Sequence, residues 1–175
     1  MSSAAIVYTT RYGSTRIVAE AVRSGLNECG FGQVELVLAA DADSERLESA
    51  DLVVIGGPIY AGRILGDTSK FCETHRELLL QRPVGLFITC LYDGEQATTQ
   101  LVDAFPSWLH GHACARADLG GMVDLKQLKF IDRFLMKKIA KVHEDVDRIR
   151  KPAIRAFAST LAGCLGTERT AEISR

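Results

Sequence analysis

A hydroxyl-rich segment, residues 9–15, follows the first apolar run of the chain, residues 4–8, and has the sequence Thr-Thr-Arg-Tyr-Gly-Ser-Thr. A turn from a buried strand into a helix directs unpaired backbone N–H groups and the positive end of the helix dipole at one point, which suits a phosphate. The hydroxyls of Thr10, Ser14 and Thr15 would add donors. The alternative is an ordinary helix N-cap at Ser14 or Thr15.

This loop lacks the sequence motifs of the known pyrophosphate-binding loops. It has neither the lysine and spacing of a Walker P-loop nor the Gly-x-Gly-x-x-Gly of a dinucleotide fold. A phosphate monoester is therefore favoured over a pyrophosphate. Arg11 would add charge-assisted bonds to the phosphate or reach an anionic substrate, and the alternative for Arg11 is a plain surface charge.

Short apolar runs alternate with longer helical patterns along the chain, which is typical of βαβ units and a parallel sheet. The runs predict five strands, at 4–8, 34–38, 51–56, 84–89 and 112–119. The helical patterns predict one helix that ends near Gly30 and two more over 67–80 and 94–109. We therefore expect an open α/β sheet with right-handed crossovers.

The last third of the chain has a different pattern. Apolar residues at intervals of three or four predict a long amphipathic helix over 131–149, which Pro152 should kink or restart. A second amphipathic segment follows over 154–165, and we expect a polar tail over 167–175. We interpret residues 1–166 as a single domain, because 175 residues with 47% hydrophobic composition can bury one core.

The composition narrows the range of partners. The formal net charge is −1, which gives no bulk attraction for nucleic acid. The five cysteines and four histidines are scattered without metal-ligand spacing, so we expect no metal site. No run reaches the roughly 18 apolar residues of a membrane span, and no basic leader precedes the first strand, so we expect a cytoplasmic protein.

The phosphate-type loop also carries a family resemblance. Ile-Val-Tyr followed by Thr-x-Arg-Tyr-Gly-x-Thr, residues 6–15, resembles the FMN (flavin mononucleotide) phosphate loop of the flavodoxin superfamily. Its Arg-Tyr-Gly core is closer to the menaquinone-dependent protoporphyrinogen oxidase branch. The resemblance implies a flavodoxin-like, doubly wound, five-stranded parallel sheet of order 2-1-3-4-5 with non-covalently bound FMN. It also implies oxidation of protoporphyrinogen IX to protoporphyrin IX, with electrons passing through FMN to a quinone.

In that superfamily the flavin ring lies over the carboxyl ends of the third and fourth strands. The loops expected there offer Tyr60 and Tyr92 as aromatic walls, although either tyrosine could be a partly exposed loop residue. Arg63 is a candidate for contacting substrate carboxylates, with a surface charge as the alternative. No histidine, aspartate or glutamate is identified as a catalytic acid or base. The predicted cofactor-binding residues are Thr10, Arg11, Tyr12, Gly13, Ser14, Thr15, Pro58, Ile59, Tyr60, Ala61, Gly62, Thr89, Cys90, Leu91, Tyr92, Asp93 and Gly94.

Residues 121–151 occupy the place where the oxidase branch carries an extra segment before its last helix. Leu-Gly-Gly at 119–121 and Phe-Ile-Asp-Arg-Phe at 130–134 are similar to that segment. The apolar side of this insertion includes Phe130, Phe134 and Met136. Its local charge is +4 over 124–141, from Lys126, Lys129, Arg133, Lys137, Lys138 and Lys141 against Asp124 and Asp132.

Such a basic amphipathic helix has two interpretations. Residues 126–141 could rest on the inner face of a membrane, where menaquinone is found. Alternatively, the apolar side packs on the domain, which the helical spacing favours.

Four functions are compatible with these patterns. The first is an FMN-dependent oxidase of the protoporphyrinogen kind with a quinone acceptor. The second is a flavodoxin-type one-electron carrier, against which the near-neutral charge argues, because such carriers tend to be acidic where they dock their partners. The third is an FMN-dependent quinone or nitro reductase, and the fourth is an interaction module that has lost the flavin.

Overall fold

A computed structural model describes residues 1–132, residue 134 and residues 144–173, with side chains as far as residue 165. Within these residues no helix is long and apolar enough to cross a bilayer. The strands are β1 (Ser2–Tyr8), β2 (Phe31–Leu38), β3 (Leu52–Tyr60), β4 (Arg63–Ile64), β5 (Val84–Thr89), β6 (Ala115–Asp118), β7 (Met122–Val123) and β8 (Val146–Asp147). The helices are α1 (Ser14–Glu28), α2 (Ser44–Glu48), α3 (Gly66–Thr74), α4 (Arg76–Leu79), α5 (Gly94–Ala104), α6 (Ser107–His112) and α7 (Lys151–Ile173).

The main sheet has the parallel order β2-β1-β3-β5-β6, and the short β4 pairs antiparallel with β3. Since β4 is only a hairpin extension of β3, β5 and β6 are the fourth and fifth parallel strands of the chain. The five parallel strands therefore have the predicted 2-1-3-4-5 order. The predicted flavodoxin-like α/β fold is therefore confirmed.

Alternate residues of each central strand face two separate hydrophobic cores. Ile6 and Val54 pack with α1 and α7, whereas Val7 and Val53 pack with helices α2 to α6 on the opposite face. Both faces of the sheet are thus covered, which is why the central strands are apolar at nearly every position. Gly56 is required in this packing, because an added Cβ would lie 2.0 Å from the Phe87 ring.

Several predicted boundaries differ from the observed ones. The first helix ends as expected, with Gly30 in the left-handed conformation at φ 95°. The predicted helix over 67–80 is divided at His75 into α3 and α4. The predicted helix over 94–109 is divided at Phe105, which is extended because it precedes a proline.

The predicted helix over 131–149 is wrong in its last part. Residues 144–150 are not helical, because β8 pairs antiparallel with β7. This pairing satisfies backbone groups between distant segments and overrides the helical spacing of the apolar residues. Of the remaining positions, 131, 132 and 134 are helical, whereas 133 and 135–143 lie outside the described residues.

The last helix begins close to the predicted restart. Pro152 is the second residue of α7, where a missing N–H costs no hydrogen bond. The helix continues through Gly166 to Ile173, over much of the segment for which a polar tail was expected. Its apolar face, which includes Phe157 and Leu161, packs against α1 and the sheet.

Candidate functional site

A pocket of about 410 Å³ lies at the carboxyl ends of β1, β3 and β5. Its volume is within the range of roughly 300–1,000 Å³ that is usual for small-molecule sites. The predicted residues that line it are 10–15, 58–61 and 89–91. The other lining residues are Arg16, Ile17 and Glu20 from α1, and Gly121, Met122, Val123, Asp124, Gln127 and Leu128 from the insertion.

The insertion residues were missed as pocket residues. Sequence reasoning assigned this segment to domain packing or membrane contact, since its local pattern carries no ligand-binding signal. In the structure Gly121 lies beside the Cys90 backbone, and an added Cβ would be in van der Waals contact with the Cys90 carbonyl oxygen at 3.4 Å. The insertion therefore forms a wall of the pocket beside β5.

The loop between β1 and α1 has the features expected of an anion cradle. Gly13 is the N-cap residue of α1 with φ 87°, and in the described part of the chain no side chain caps this helix end. The first turn contains no acidic residue. The predicted alternative of an N-cap at Ser14 or Thr15 is thus not observed, and the first-turn N–H groups have no intrahelical acceptor.

Hydroxyl groups fix the shape of this loop. Thr10 Oγ1 accepts a hydrogen bond of 3.0 Å from the Gly13 N–H, and Ser14 Oγ accepts one of 2.9 Å from the Met122 N–H of the insertion. Thr15 is fully buried, with its hydroxyl 2.9 Å from that of Thr89. Thr10 and Ser14 thus stay near the helix end, while Thr15 joins the loop to the end of β5.

Tyr60 stands at the end of β3, before a tight turn into β4. The turn residues Ala61 and Gly62 have φ values of 50° and 81°, which is the geometry of a two-residue hairpin with both central residues left-handed. This turn places Arg63 opposite Tyr60 in the β3–β4 pair. Tyr60 and Ala61 line the pocket, whereas Gly62 and the exposed Arg63 do not.

The predicted loop after β5 is divided between two roles. Cys90 and Leu91 line the pocket, but Tyr92, Asp93 and Gly94 do not. Tyr92 packs against the core that contains α5, and its carbonyl oxygen accepts a hydrogen bond of 2.9 Å from Arg150.

The segment that leads into α7 holds this loop in place. Arg148 Nη1 donates a hydrogen bond of 2.6 Å to the Leu91 carbonyl oxygen, and Arg150 pairs with Asp93. Arg150 Nη1 also lies 2.6 Å from Asp118 Oδ2 at the end of β6. Two arginines that sequence reasoning did not single out therefore fix the position of Leu91 at the pocket.

Cys90 is the only cysteine that lines the pocket among the residues described. Its thiol is buried and lies 3.3 Å from Asp118 Oδ1. Burial, with the Asp118 charge, raises the pKa of the Cys90 thiol to about 12. A protonated thiol is a poor nucleophile, so this residue contributes packing at neutral pH.

A second feature at the pocket is a buried carboxylate from the insertion. The Asp132 side chain is only 5% exposed and accepts hydrogen bonds from Arg11 Nη2 at 3.0 Å and from Arg11 Nε at 3.3 Å. The hydroxyl groups of Tyr12 and Tyr60 also donate to this carboxylate. The Arg11 guanidinium lies over the Tyr60 ring, 4.1 Å from its centroid.

The protonation states in this cluster follow from its contacts. Hydrogen bonds from the Tyr12 and Tyr60 hydroxyls, aided by Arg11, lower the pKa of Asp132 to about 2. Burial, together with the bond to Asp132, raises the pKa of Tyr60 to about 12. Near neutral pH the cluster therefore contains the Asp132 carboxylate, the Arg11 guanidinium and the protonated phenol of Tyr60.

These contacts predict a pH-dependent contribution of Asp132 to stability. Asp132→Asn should lower the free energy of unfolding at pH 7 by about 1–3 kcal/mol, because charge-assisted hydrogen bonds are lost. The pKa of Asp132 is lower in the folded protein than its ordinary 3.8. The contribution is therefore complete above pH 3.8 and is lost as the pH falls towards 2.

Urea unfolding of both proteins over this pH range measures the difference. Asp103→Asn, at an exposed position on α5, is the matched control and should change little. A difference for Asp132→Asn that stays constant down to pH 2.5 would contradict the assignment.

Comparisons with known proteins agree with the fold. A family model described as "Flavodoxin domain" matches residues 5–149, and proteins with this domain bind FMN. No curated protein matches the sequence.

The chain is similar to several solved structures. Rubredoxin oxygen:oxidoreductase from Desulfovibrio gigas has 17% identity and a TM-score of 0.61, over 94% of this chain and 36% of that one. The chain therefore spans about a third of that protein. A flavodoxin from the domain Archaea has 15% identity and a TM-score of 0.55, over 94% and 99% of the two chains. Megasphaera elsdenii flavodoxin has 15% identity and a TM-score of 0.53, over 91% and 98%.

At these identities the solved structures support the fold alone. The family match is a separate finding and covers most of the chain, including the end of β1, the loop into α1 and the insertion as far as residue 149. With the observed strand order, it shows that the chain belongs to the flavodoxin domain family.

Proposed function

We propose that the protein is an FMN-dependent oxidoreductase that holds its cofactor in the pocket at the carboxyl edge of the sheet. One observation carries this proposal: the uncapped N terminus of α1 and the aromatic side chain of Tyr60 line the same pocket of about 410 Å³. The first can hold a phosphate and the second can flank a planar ring. The residues present therefore fit the cofactor of the family.

The phosphate would be held by the loop between β1 and α1. Its donors would be the first-turn N–H groups of α1 and the hydroxyls of Thr10 and Ser14, and Gly13 provides the left-handed turn. The guanidinium of Arg11 is already bonded to Asp132. The helix dipole therefore supplies much of the positive field at this end of the pocket.

The ring would lie among groups from the other loops. Tyr60 provides an aromatic wall, and the backbone at 58–59 and 90–91 provides polar groups at the strand ends. Met122 and Val123 of the insertion line the pocket and would exclude water from the ring. Bound FMN supplies the redox chemistry, whereas the protein orients the ring and the substrate.

The phosphate placement predicts a ligand-specific loss of affinity. Thr10→Ala should weaken FMN binding by about tenfold or more, because a hydroxyl bond to a charged phosphate is worth about 1.5–3 kcal/mol. Riboflavin, which lacks the phosphate, should bind the variant and the wild-type protein equally. Quenching of flavin fluorescence in titrations with both ligands measures the two affinities.

Thr98→Ala is the matched control, since Thr98 is exposed on α5 and bonds only within that helix in the contacts described. Its FMN affinity should equal that of the wild-type protein. Equal losses for FMN and riboflavin in the Thr10 variant would place the phosphate elsewhere.

The substrate that we propose is protoporphyrinogen IX, with a quinone as the electron acceptor. The proposal is supported by the Arg-Tyr-Gly loop and by an insertion that contributes a wall of the pocket. A flavodoxin-type electron carrier is the alternative, favoured by the match of this chain to nearly the full length of solved flavodoxins. A quinone reductase that takes electrons from another donor is the third candidate.

Turnover separates these functions. FMN-loaded protein should convert protoporphyrinogen IX to fluorescent protoporphyrin IX under anaerobic conditions while menadione, a soluble quinone, is reduced to its quinol. The rate should fall when Thr10→Ala is assayed below saturating FMN. Absence of porphyrin together with rapid menadione reduction by NAD(P)H would favour a quinone reductase, and absence of both would favour a carrier.

We also propose that the insertion contacts an anionic membrane surface. Its side chains Phe130, Ile131 and Phe134 are 86%, 71% and 55% exposed, in a segment with a local charge of +4. The expectation of packing on the domain is thus wrong for Phe130, whereas Leu128 of the same segment is buried. Exposed aromatic residues beside basic ones are typical of interfacial helices. Met136, the third residue expected on the apolar side, lies outside the described residues.

Vesicle flotation tests this contact. The double variant Phe130→Ser with Phe134→Ser should lose most of its binding to phosphatidylglycerol vesicles, because buried apolar area and charge attraction act together. The matched control is the double variant Leu80→Ser with Val102→Ser, which changes two exposed apolar residues outside the insertion. This control should bind the vesicles as the wild-type protein does. Equal flotation of both double variants would count against the contact.

A further inference from the structure

Three hydrogen-bonding side chains converge on one carboxylate beside the pocket. Arg11 donates through Nε and Nη2, and the hydroxyls of Tyr12 and Tyr60 donate to different oxygens of Asp132. A guanidinium fork with additional hydroxyl donors is an arrangement that recognises carboxylates in general, wherever they come from.

The donors and the acceptor belong to different parts of the fold. Arg11 and Tyr12 follow β1 and Tyr60 ends β3, so the central sheet fixes all three donors. Asp132 belongs to the insertion and is separated from Arg11 by 121 positions. The carboxylate is thus an internal ligand that a separate segment delivers to a site built on the sheet.

The donors remain accessible to a molecule in the pocket. Arg11, Tyr12 and Tyr60 all line it, whereas Asp132 is not among the lining residues. The Arg11 side chain is 41% exposed, but that of Asp132 is only 5% exposed. A carboxylate of a bound molecule can therefore approach the same donors without first passing Asp132.

We propose that Arg11, Tyr12 and Tyr60 form a binding site for the carboxylate of a substrate, and that Asp132 competes for it from within the protein. The ligand class is an organic acid whose carboxylate is carried on a short chain from an apolar ring, such as a propionate. This inference rests on the proposed function, because protoporphyrinogen IX, the substrate proposed above, carries propionate groups.

Competition by Asp132 has a measurable consequence. A tethered carboxylate has a high effective concentration at its site and lowers the apparent affinity of any free carboxylate. Asp132→Asn removes the negative charge with little change in shape. The variant should therefore bind an external carboxylate more tightly than the wild-type protein does.

The probe is 3-phenylpropionate, titrated calorimetrically into FMN-saturated protein. We expect its affinity for Asp132→Asn to exceed that for the wild-type protein by at least about tenfold, a modest part of what tethering can provide. The uncharged 3-phenylpropanamide should bind both proteins equally. Adding Arg11→Gln to Asp132→Asn should abolish the gain.

Equal or weaker binding of 3-phenylpropionate by Asp132→Asn would overturn the proposal, as would a gain that survives Arg11→Gln. A gain seen without FMN but lost at saturating FMN would also overturn it, since the donors would then be serving the phosphate. Thermal melting checks the fold, and Asp132→Ser provides the same comparison if the amide variant does not fold.

The flavin absorbance of each sample separates this inference from the proposed function. A tenfold gain in protein that never takes up FMN would support the carboxylate site and refute the cofactor proposal. Normal FMN uptake without any gain would do the reverse.

Discussion

The parallel pairing of β1, β3 and β5 is the constraint on which the site depends. Its register places Tyr8 beside Gly56 and Pro58 beside Thr89, so that the three following loops begin at the same edge of the sheet. Both faces of these strands are buried, and a slip of one residue would turn every core side chain to the opposite layer. The hydrophobic cores therefore fix the pocket as firmly as they fix the strands.

The insertion is attached to the main sheet by a small number of contacts. The Met122 N–H donates to the hydroxyl of Ser14, the first residue of α1, and Arg148 and Arg150 hold the loop after β5. Gly120, with φ 72°, passes so close to Arg148 that a Cβ would lie 1.9 Å from its carbonyl oxygen. Close backbone contact and a few polar bonds thus join the additional segment to the sheet.

The sequence was sufficient to predict the central strands β1, β3 and β5, because a strand covered on both faces leaves an uninterrupted apolar run. The edge strands β2 and β6 contain charged residues, and their prediction depended on the alternation of strands and helices along the chain. The sequence also indicated the loop before α1, where Gly13 and the hydroxyl residues are adjacent in the chain. The predicted helix over 131–149 is wrong at Val146, because apolar residues spaced by three or four are also compatible with a short strand whose partner is distant in the chain. The role of Asp132 could not be predicted, because its partners are brought to it only by the complete fold.

The strand pair β7–β8 holds together the two ends of the segment 124–145. It therefore fixes where that segment leaves the domain and where it rejoins it. Backbone bonds from Arg148 to Gly121 and from Arg150 to Leu119 extend this closure. Since each doubling of loop length costs only about 0.6 kcal/mol of closure entropy, segments of other lengths can be joined to this strand pair at little cost to the main sheet. The insertion is thus a replaceable module, and grafting at its base offers a route to new specificity on an unchanged sheet.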